Sequence, residues 1–207
     1  MGPVLFANIF TDATDWLSEF SANWWFLVII AVIAFLDAIV PIVPAETMVI
    51  IGGVAAGQGD QRLLAVIAVG AIGAFLGDNT AYLIGNRMSD FIQRRAQRRP
   101  TWQARLDWAG EQIHVRGGPL LITARFIPGG RTALTVSSGI THQPHRWFLG
   151  WIAVATCIWA TYAALLGYVG GKAFEDNHTI AFLVAFGSAL AMTVLIEVVR
   201  HVRNRYR

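Results

Sequence analysis

The chain has 207 residues, of which 55% are hydrophobic and only 14% charged, and its mean hydropathy is +0.51. This composition excludes an ordinary soluble domain and predicts an integral membrane protein. The net charge of +3 comes from arginines that flank apolar segments, which favours a membrane-topology signal over a groove for nucleic acid. The single cysteine, Cys157, excludes an intrachain disulfide bond.

Residues 1–22 predict an amphipathic helix at the N-terminus. Apolar side chains recur there at helical spacing, so the helix lies either on the membrane surface or against the protein's own core. Acidic residues precede the first long apolar segment at Asp12, Asp15 and Glu19, where a secretory signal would carry positive charge. We therefore expect no cleaved segment.

Four segments are apolar and long enough to cross a bilayer, since a spanning helix needs about 20 residues. They are residues 23–40, 62–87, 145–170 and 178–200. Two further apolar segments, 41–59 and 118–142, carry charge and are interrupted by helix-breaking residues. The breakers are Pro41, Pro44, Pro128, Gly129 and Gly130. Broken backbone is tolerated at membrane depth only where protein or a water-filled cavity covers it, so both segments predict re-entrant hairpins.

The basic segment at residues 88–117 and the arginine-rich C-terminal tail are expected in the cytoplasm, because positively charged loops stay inside. Both termini are then cytoplasmic, and the two hairpins enter from opposite faces of the membrane. Within the basic segment, Trp102, Leu106, Ala109 and Ile113 keep helical spacing. They predict a second amphipathic helix, again either on the membrane surface or on the protein's own core.

A repeat with an offset of about 85 residues relates the two hairpins. The paired features are Pro44 and Pro128, Glu46 and Arg131, Gly53 and Gly139, and the segments 82–85 and 168–171. Entry from opposite faces makes this an inverted repeat, which in many transporters places a substrate site at the bilayer midplane. Chance similarity of apolar sequence is the alternative. The predicted fold is a single all-α membrane domain, 1–207, with about four transmembrane helices, two opposed re-entrant hairpins and amphipathic surface helices.

Two pairs of glycines at a spacing of four residues predict close contacts between helices. They are Gly53 with Gly57 and Gly73 with Gly77. Small residues at this spacing form a smooth face on which a neighbouring backbone can pack.

Five charged residues fall inside segments assigned to the membrane: Asp37, Glu46, Asp78, Arg125 and Arg131. A central charge opposes insertion by roughly 2.5 to 3.5 kcal/mol unless it is paired or hydrated. Such a cost indicates a functional site, or alternatively structural ion pairs that fix one hairpin against the other. Both interpretations stay open, because an acid and an arginine that pair in the empty site can separate when an anion arrives.

The chemistry of these residues suits a phosphate. Arg125 and Arg131 bracket a Phe-Ile-Pro-Gly-Gly sequence, and a guanidinium donates two parallel hydrogen bonds to a phosphate while staying charged. The helix break between them also frees backbone N–H groups that attract anions. Carboxylates inside a membrane cavity are candidate proton carriers. We therefore predict phosphate binding by the two arginines and proton coupling or pairing by Asp37, Glu46 and Asp78.

The motifs around these charges resemble those of the DedA family, also called SNARE-associated Golgi or VTT-domain proteins. The resemblance covers about residues 30–172. It depends on an element that runs from Asp37 through two prolines to Glu46, and on the Arg-Phe-Ile-Pro-Gly-Gly-Arg element at 125–131. Either element alone would be a weak signal, whereas the combination is specific.

The resemblance implies a multi-pass protein of the bacterial cytoplasmic membrane with two facing re-entrant hairpins. It implies a role in envelope maintenance that depends on the proton gradient, and recycling of undecaprenyl phosphate across the membrane. It further implies that the family's essential acids correspond to Asp37 and Glu46 and its paired arginines to Arg125 and Arg131. This chain departs from the family at the first acid, which is often Glu and is here the shorter Asp37.

The prediction is thus a proton-coupled transporter or flippase, with membrane lipids and a polyprenyl phosphate as partners, no nucleic acid, and no cofactor beyond the proton gradient. The alternative is a scramblase that equilibrates phospholipids without a gradient. A lipid pyrophosphate phosphatase is disfavoured, because no histidine lies beside the hairpin arginines, and no catalytic residue is predicted. No metal site is predicted either, since His142 and His145 have no cysteine or glutamate cluster near them in sequence.

Overall fold

Helices form all the regular structure in the part of the chain that the structure describes. The structure is a computed structural model, and it describes residue 21 and residues 23–40, 44–127 and 129–173. The elements are α1 (Trp24–Ile39), α2 (Ala45–Gly57), α3 (Leu63–Arg87), α4 (Ser89–Gln97), α5 (Pro100–Arg116), α6 (Gly118–Thr123), a 3₁₀ helix (Ala124–Phe126), α7 (Gly130–Ile140) and α8 (His145–Ala173). The predicted all-α class is confirmed for these residues. The predicted face within 1–20, the span at 178–200, Pro41 and Pro128 lie outside the described residues.

Two of the described helices, α3 and α8, are long and apolar enough to cross a membrane. They contain 25 and 29 residues, and at a rise of about 1.5 Å per residue each exceeds the roughly 30 Å of a hydrocarbon core. The helices α1 and α2 are also apolar but shorter, with 16 and 13 residues. Of the three predicted spans that the structure describes, two reach spanning length, and α1 lies within the third, the predicted segment 23–40.

Contacts divide the chain into two compact units. The first unit contains the start of α1 up to Ile30, all of α2, the start of α3 and the end of α8 from Ala160. The second unit contains the end of α1, most of α3, the helices α4 to α7 and the start of α8. Each long helix runs from one unit into the other without a break, so the division does not fall at a linker.

In the first unit, α2 packs against the end of α8 at backbone distance. Gly53 and Gly57 of α2 lie against the carbonyl oxygens of Ala164 and Tyr168. From the other helix, Gly167 lies against the carbonyl oxygen of Ile50. A Cβ atom at any of these glycines would overlap the facing backbone, so glycine is required for the contact.

The second unit contains an equivalent contact between α7 and the end of α3. Gly139 of α7 lies against the carbonyl oxygen of Tyr82, and Gly85 of α3 lies against that of Val136. Nearer the start of α3, Gly73 and Gly77 lie against the carbonyl oxygens of the α1 residues Ala31 and Phe35. The predicted close helix contacts at both four-residue glycine spacings are thereby confirmed.

Helices begin at the predicted breakers that the structure describes, Pro44, Gly129 and Gly130. The helix α2 begins directly after Pro44, and α7 begins at Gly130 after a break that contains Gly129. Gly129 has a φ of 70°, in the left-handed region, which an L side chain adopts only at a cost. The segment 118–142 is thus two short helices with a sharp break between them. Re-entry of either hairpin into the bilayer stays a prediction.

The basic segment forms the two helices α4 and α5, with Pro100 in the first turn of α5. In the structure, one end of its predicted amphipathic face is buried and the other end is exposed. Ile113 is buried and Gly110 contacts Thr141 beyond the end of α7, whereas Trp102 is 48% exposed. Packing on the protein's own core therefore accounts for the Ile113 end of this face.

Candidate functional site

Four of the five predicted site residues come together in the second unit. Asp37 lies near the end of α1, Asp78 in the middle of α3, Arg125 in the 3₁₀ helix and Arg131 at the start of α7. They meet because Gly73 and Gly77 allow α3 to approach α1 at backbone distance, and because the 3₁₀ helix that carries Arg125 contacts α7, which carries Arg131. Each of the four contacts another member of the group through a hydrogen bond or an ion pair.

Arg125 and Asp78 form a fully buried ion pair. The Nη1 atom of Arg125 donates to Oδ2 of Asp78 at 2.5 Å, and neither side chain has any solvent exposure. The guanidinium also lies 5.5 Å from the ring centre of Trp159 on α8, within the range of a cation–π contact. A buried charge that loses its partner is strongly destabilising, so this pair holds the 3₁₀ helix against α3.

Arg125 keeps hydrogen-bonding capacity beyond this pair. Its Nε and Nη2 atoms have no hydrogen-bond acceptor among the described residues. The hydroxyl group of Thr135, one turn of α7 after Arg131, is also buried and has no hydrogen-bond partner within the described ranges. Polar groups of this kind are costly in an apolar interior unless another polar species meets them. The site is therefore chemically suited to a further hydrogen-bonding group.

Arg131 lies between the two acids. Its Nη2 atom donates to Oδ2 of Asp37 at 3.1 Å and to the backbone carbonyl oxygen of the same residue at 2.5 Å. Its Nε atom lies 3.7 Å from Oδ1 of Asp78. Thr132 adds a hydrogen bond from its hydroxyl group to the carbonyl oxygen of Ala38 at 3.4 Å. The start of α7 is thus attached to the end of α1 by two neighbouring residues.

The two ion pairs differ in accessibility. The side chains of Arg131 and Asp37 are 11% and 18% exposed, whereas those of Arg125 and Asp78 are not exposed at all. The pairing distance is also longer, 3.1 Å against 2.5 Å. The Arg131–Asp37 pair is therefore the more accessible of the two, and the Arg125–Asp78 pair is fully enclosed.

Glu46 lies in the first unit, in the first turn of α2. A carboxylate at this position is favoured by the positive end of the helix dipole. In the same unit, Tyr162 of α8 lies within electrostatic range of Glu46. The predicted meeting of Glu46 with the arginines of the second unit stays a prediction.

Sequence reasoning did not assign site roles to Trp159, Thr132 and Thr135. Trp159 had a detectable signal, because it lies far inside an apolar helix and not near its ends, where tryptophan anchors at the membrane interface. Thr135 follows Arg131 by four residues, which places both on one face of α7. Thr132 directly follows the arginine element at 125–131 that carries the family resemblance.

His142 and His145 fix the turn between α7 and α8. His142 lies 2.6 Å from the side-chain oxygen of Asn86, and His145 lies 2.7 Å from that of Asn79, both distances measured from ring nitrogens. His145 also stacks on Tyr82, with ring centres 5.0 Å apart. These contacts attach the turn to α3, and the described residues contain no group of three potential metal ligands.

Comparison with known proteins adds a family and several relatives. The VTT domain model matches residues 43–169. An uncharacterized membrane protein of Synechocystis is 29% identical over 86% of this chain and 82% of its own length. Protein DedA of Escherichia coli K12 is 24% identical over 92% of this chain and 91% of its own. A Bacillus subtilis protein named undecaprenyl phosphate transporter A is 24% identical over 69% of this chain and 72% of its own. No solved structure matches.

Proposed function

Because the chain belongs to the VTT-domain family, we propose that it is a transporter that moves undecaprenyl phosphate across the bacterial cytoplasmic membrane with proton coupling. This activity would support maintenance of the cell envelope. Two lines of support combine here: the name of the Bacillus subtilis relative, and the resemblance of the motifs at 37–46 and 125–131. In this proposal the basic segment 88–117 and both termini are cytoplasmic, as the positive-inside rule favours.

The observation that carries the proposal is the position of Arg131. It contacts two carboxylates, on α1 and on α3, and it is the more accessible of the two arginines. A phosphate oxygen is an anionic hydrogen-bond acceptor like the carboxylate oxygen of Asp37, so it can replace that oxygen on the guanidinium. The exchange needs no new position for Arg131, only the withdrawal of Asp37.

Asp78 and Arg125 prepare the site for this exchange. Asp78 holds Arg125 with one carboxylate oxygen and lies near Arg131 with the other, so it sets the separation of the two guanidinium groups. The free Nε and Nη2 donors of Arg125 then offer a second attachment for the phosphate. Fixed donors bind a doubly coordinated anion more tightly than mobile ones, because less side-chain entropy is lost.

Asp37 and Glu46 are the proposed proton carriers. Once the phosphate has taken Arg131, Asp37 is a carboxylate without a cation in an apolar environment, and binding a proton removes that cost. Release of the phosphate reverses the step, because Asp37 then returns to Arg131, whose charge favours the ionised form of the carboxylate. Glu46 provides a second protonatable group, in the first unit.

Transport by purified protein in vesicles tests the proposal. The protein is reconstituted with undecaprenyl phosphate, and the appearance of the lipid phosphate in the outer leaflet is followed with and without an imposed pH gradient. We expect the gradient to accelerate transport. We expect Arg131→Gln to reduce the rate at least about tenfold, the value of one charge-assisted hydrogen bond to phosphate.

Arg146→Gln is the matched control, because it removes the same charge from an exposed position in the second unit. Its transport rate should equal that of the unsubstituted protein. Equal rates for Arg131→Gln and Arg146→Gln would exclude a phosphate-binding role for Arg131. Exchange of phospholipids at the same rate with and without the gradient, unaffected by Asp37→Asn, would instead identify a scramblase.

A further inference from the structure

The helix α4 has one face that the protein core does not cover. Phe91, Arg94, Arg95 and Arg98 occupy positions i, i+3, i+4 and i+7, which places them along a single helical face. Phe91 is 62% exposed, and the three arginines are exposed as well. We call this set of four residues the arginine face.

The opposite side of α4 is fixed to the rest of the second unit. Ser89 and Ala96 are buried, and α4 packs on α5 and α7. The side-chain Nε2 atom of Gln93 donates to the carbonyl oxygen of Ile140, at the end of α7, at 3.0 Å. This attachment determines which way α4 is turned, so Phe91 and the arginines point away from the core.

The position of α4 along the chain places it at the membrane boundary. The helix α3 is long enough to cross the bilayer and ends at Arg87, and α4 begins two residues later at Ser89. So short a connection leaves α4 at the level of the lipid headgroups. Arginines beside a phenylalanine at this depth match the chemistry of an anionic surface with acyl chains beneath it.

We propose that the arginine face binds the headgroups of anionic phospholipids and concentrates them around α4, with Phe91 inserted between the acyl chains. Each guanidinium can hold a lipid phosphate through two hydrogen bonds. Charge complementarity identifies the occupant, because three exposed cations on one face would repel a second copy of the same surface. The proposal does not depend on the transport activity.

A local fluorescence measurement tests this binding. Cys157 is replaced by alanine, and Met88→Cys, an exposed position beside α4, carries a fluorophore. The protein is reconstituted in vesicles of equal parts phosphatidylglycerol and phosphatidylcholine, with bromine quenchers on the chains of one lipid or the other. Since both leaflets have the same composition, the result is independent of how the protein inserts.

We expect brominated phosphatidylglycerol to quench the label on the order of twofold more than brominated phosphatidylcholine, because each surface arginine attracts anionic lipid. The triple variant Arg94→Gln/Arg95→Gln/Arg98→Gln should bring the ratio close to one. High salt should lower it in the unsubstituted protein. Phe91→Ser should weaken quenching by both lipids equally, because it removes the insertion and leaves the charges.

The matched control is Arg62→Gln/Arg146→Gln/Lys172→Gln, which removes three exposed cations outside α4. It should keep the ratio of the unsubstituted protein, and thermal unfolding should show that both triple variants are folded. A ratio of one in the unsubstituted protein would overturn the proposal. So would a ratio that the two triple variants lower equally, because the ratio would then depend on the net charge of the protein and not on the arginine face.

Discussion

The two units contain the same helix contact and different chemistry. In the first unit, α2 packs on the end of α8 through Gly53, and in the second unit α7 packs on the end of α3 through Gly139. Each glycine lies against a carbonyl oxygen of the partner helix. In the second unit, however, the start of the short helix carries Arg131, and the corresponding helix of the first unit carries Glu46 in its first turn.

This comparison separates the scaffold from the site. The backbone contact repeats because any pair of helices can use it, provided that a glycine is present at the crossing. The charged cluster is confined to the second unit among the described residues, and it depends on additional glycines that bring α3 to α1. Substitutions in the charged cluster and in the helix contact should therefore lower the free energy of unfolding by different amounts.

The largest effect is expected from Arg125→Met, which leaves Asp78 as a buried carboxylate without its partner. The expected loss in the free energy of unfolding is about 3 to 5 kcal/mol. Unfolding by denaturant in mixed micelles measures it. The double variant Arg125→Met/Asp78→Leu removes both charges and should recover most of this loss. A single variant as stable as the original would show that the pair does not support the fold.

Smaller and equal effects are expected from Gly53→Ala and Gly139→Ala. Each added Cβ meets a backbone carbonyl group that cannot move by itself, so each should cost about 1 to 3 kcal/mol in the free energy of unfolding. Gly150→Ala is the control, because a Cβ there has no atom within 4 Å. If only one of the two variants is destabilised, the helix contacts of the two units are not equivalent.

The smallest effect on stability is expected from Arg131→Gln, about 1 kcal/mol, because its partner Asp37 is partly accessible to water. The same denaturant measurement applies. The transport rate of this variant should nevertheless fall by a larger factor than its folding equilibrium constant does. A loss as large as that of Arg125→Met would mean that Arg131 is a structural residue, and the division between exchangeable and fixed pairs would be wrong.

Much of the helical framework could be predicted from the sequence. The predicted segments 23–40 and 62–87 agree with α1 and α3 to one residue at each end, and α8 extends three residues beyond its predicted end at 170. The agreement has a physical cause. Inside a bilayer every backbone group must be satisfied within the segment, so an uninterrupted apolar run becomes a helix. Helix breaks at proline and glycine were predictable for the same reason.

Which acid pairs with which arginine was harder to predict from the sequence. The sequence places three acids and two arginines in the membrane but does not indicate which acid joins which arginine, because that depends on contacts between residues far apart in the chain. Asp78 contacts both arginines, and Asp37 joins the same cluster where α3 approaches α1 through Gly73 and Gly77. In the same way, the periodicity of α5 does not indicate that Ile113 is buried while Trp102 is exposed, because burial depends on the packing of α5 on other helices such as α7.

The ion-pair cluster of the second unit has a consequence for energetics. Two guanidinium groups and two carboxylates make it electrically neutral when empty. A lipid phosphate that arrives with one negative charge leaves the loaded cluster neutral only if one proton accompanies it. Movement of that combination across the bilayer would transfer no net charge, and the membrane voltage would then do no work on it. The proposed transport should thus respond to a difference in acidity and be indifferent to an electrical potential imposed alone.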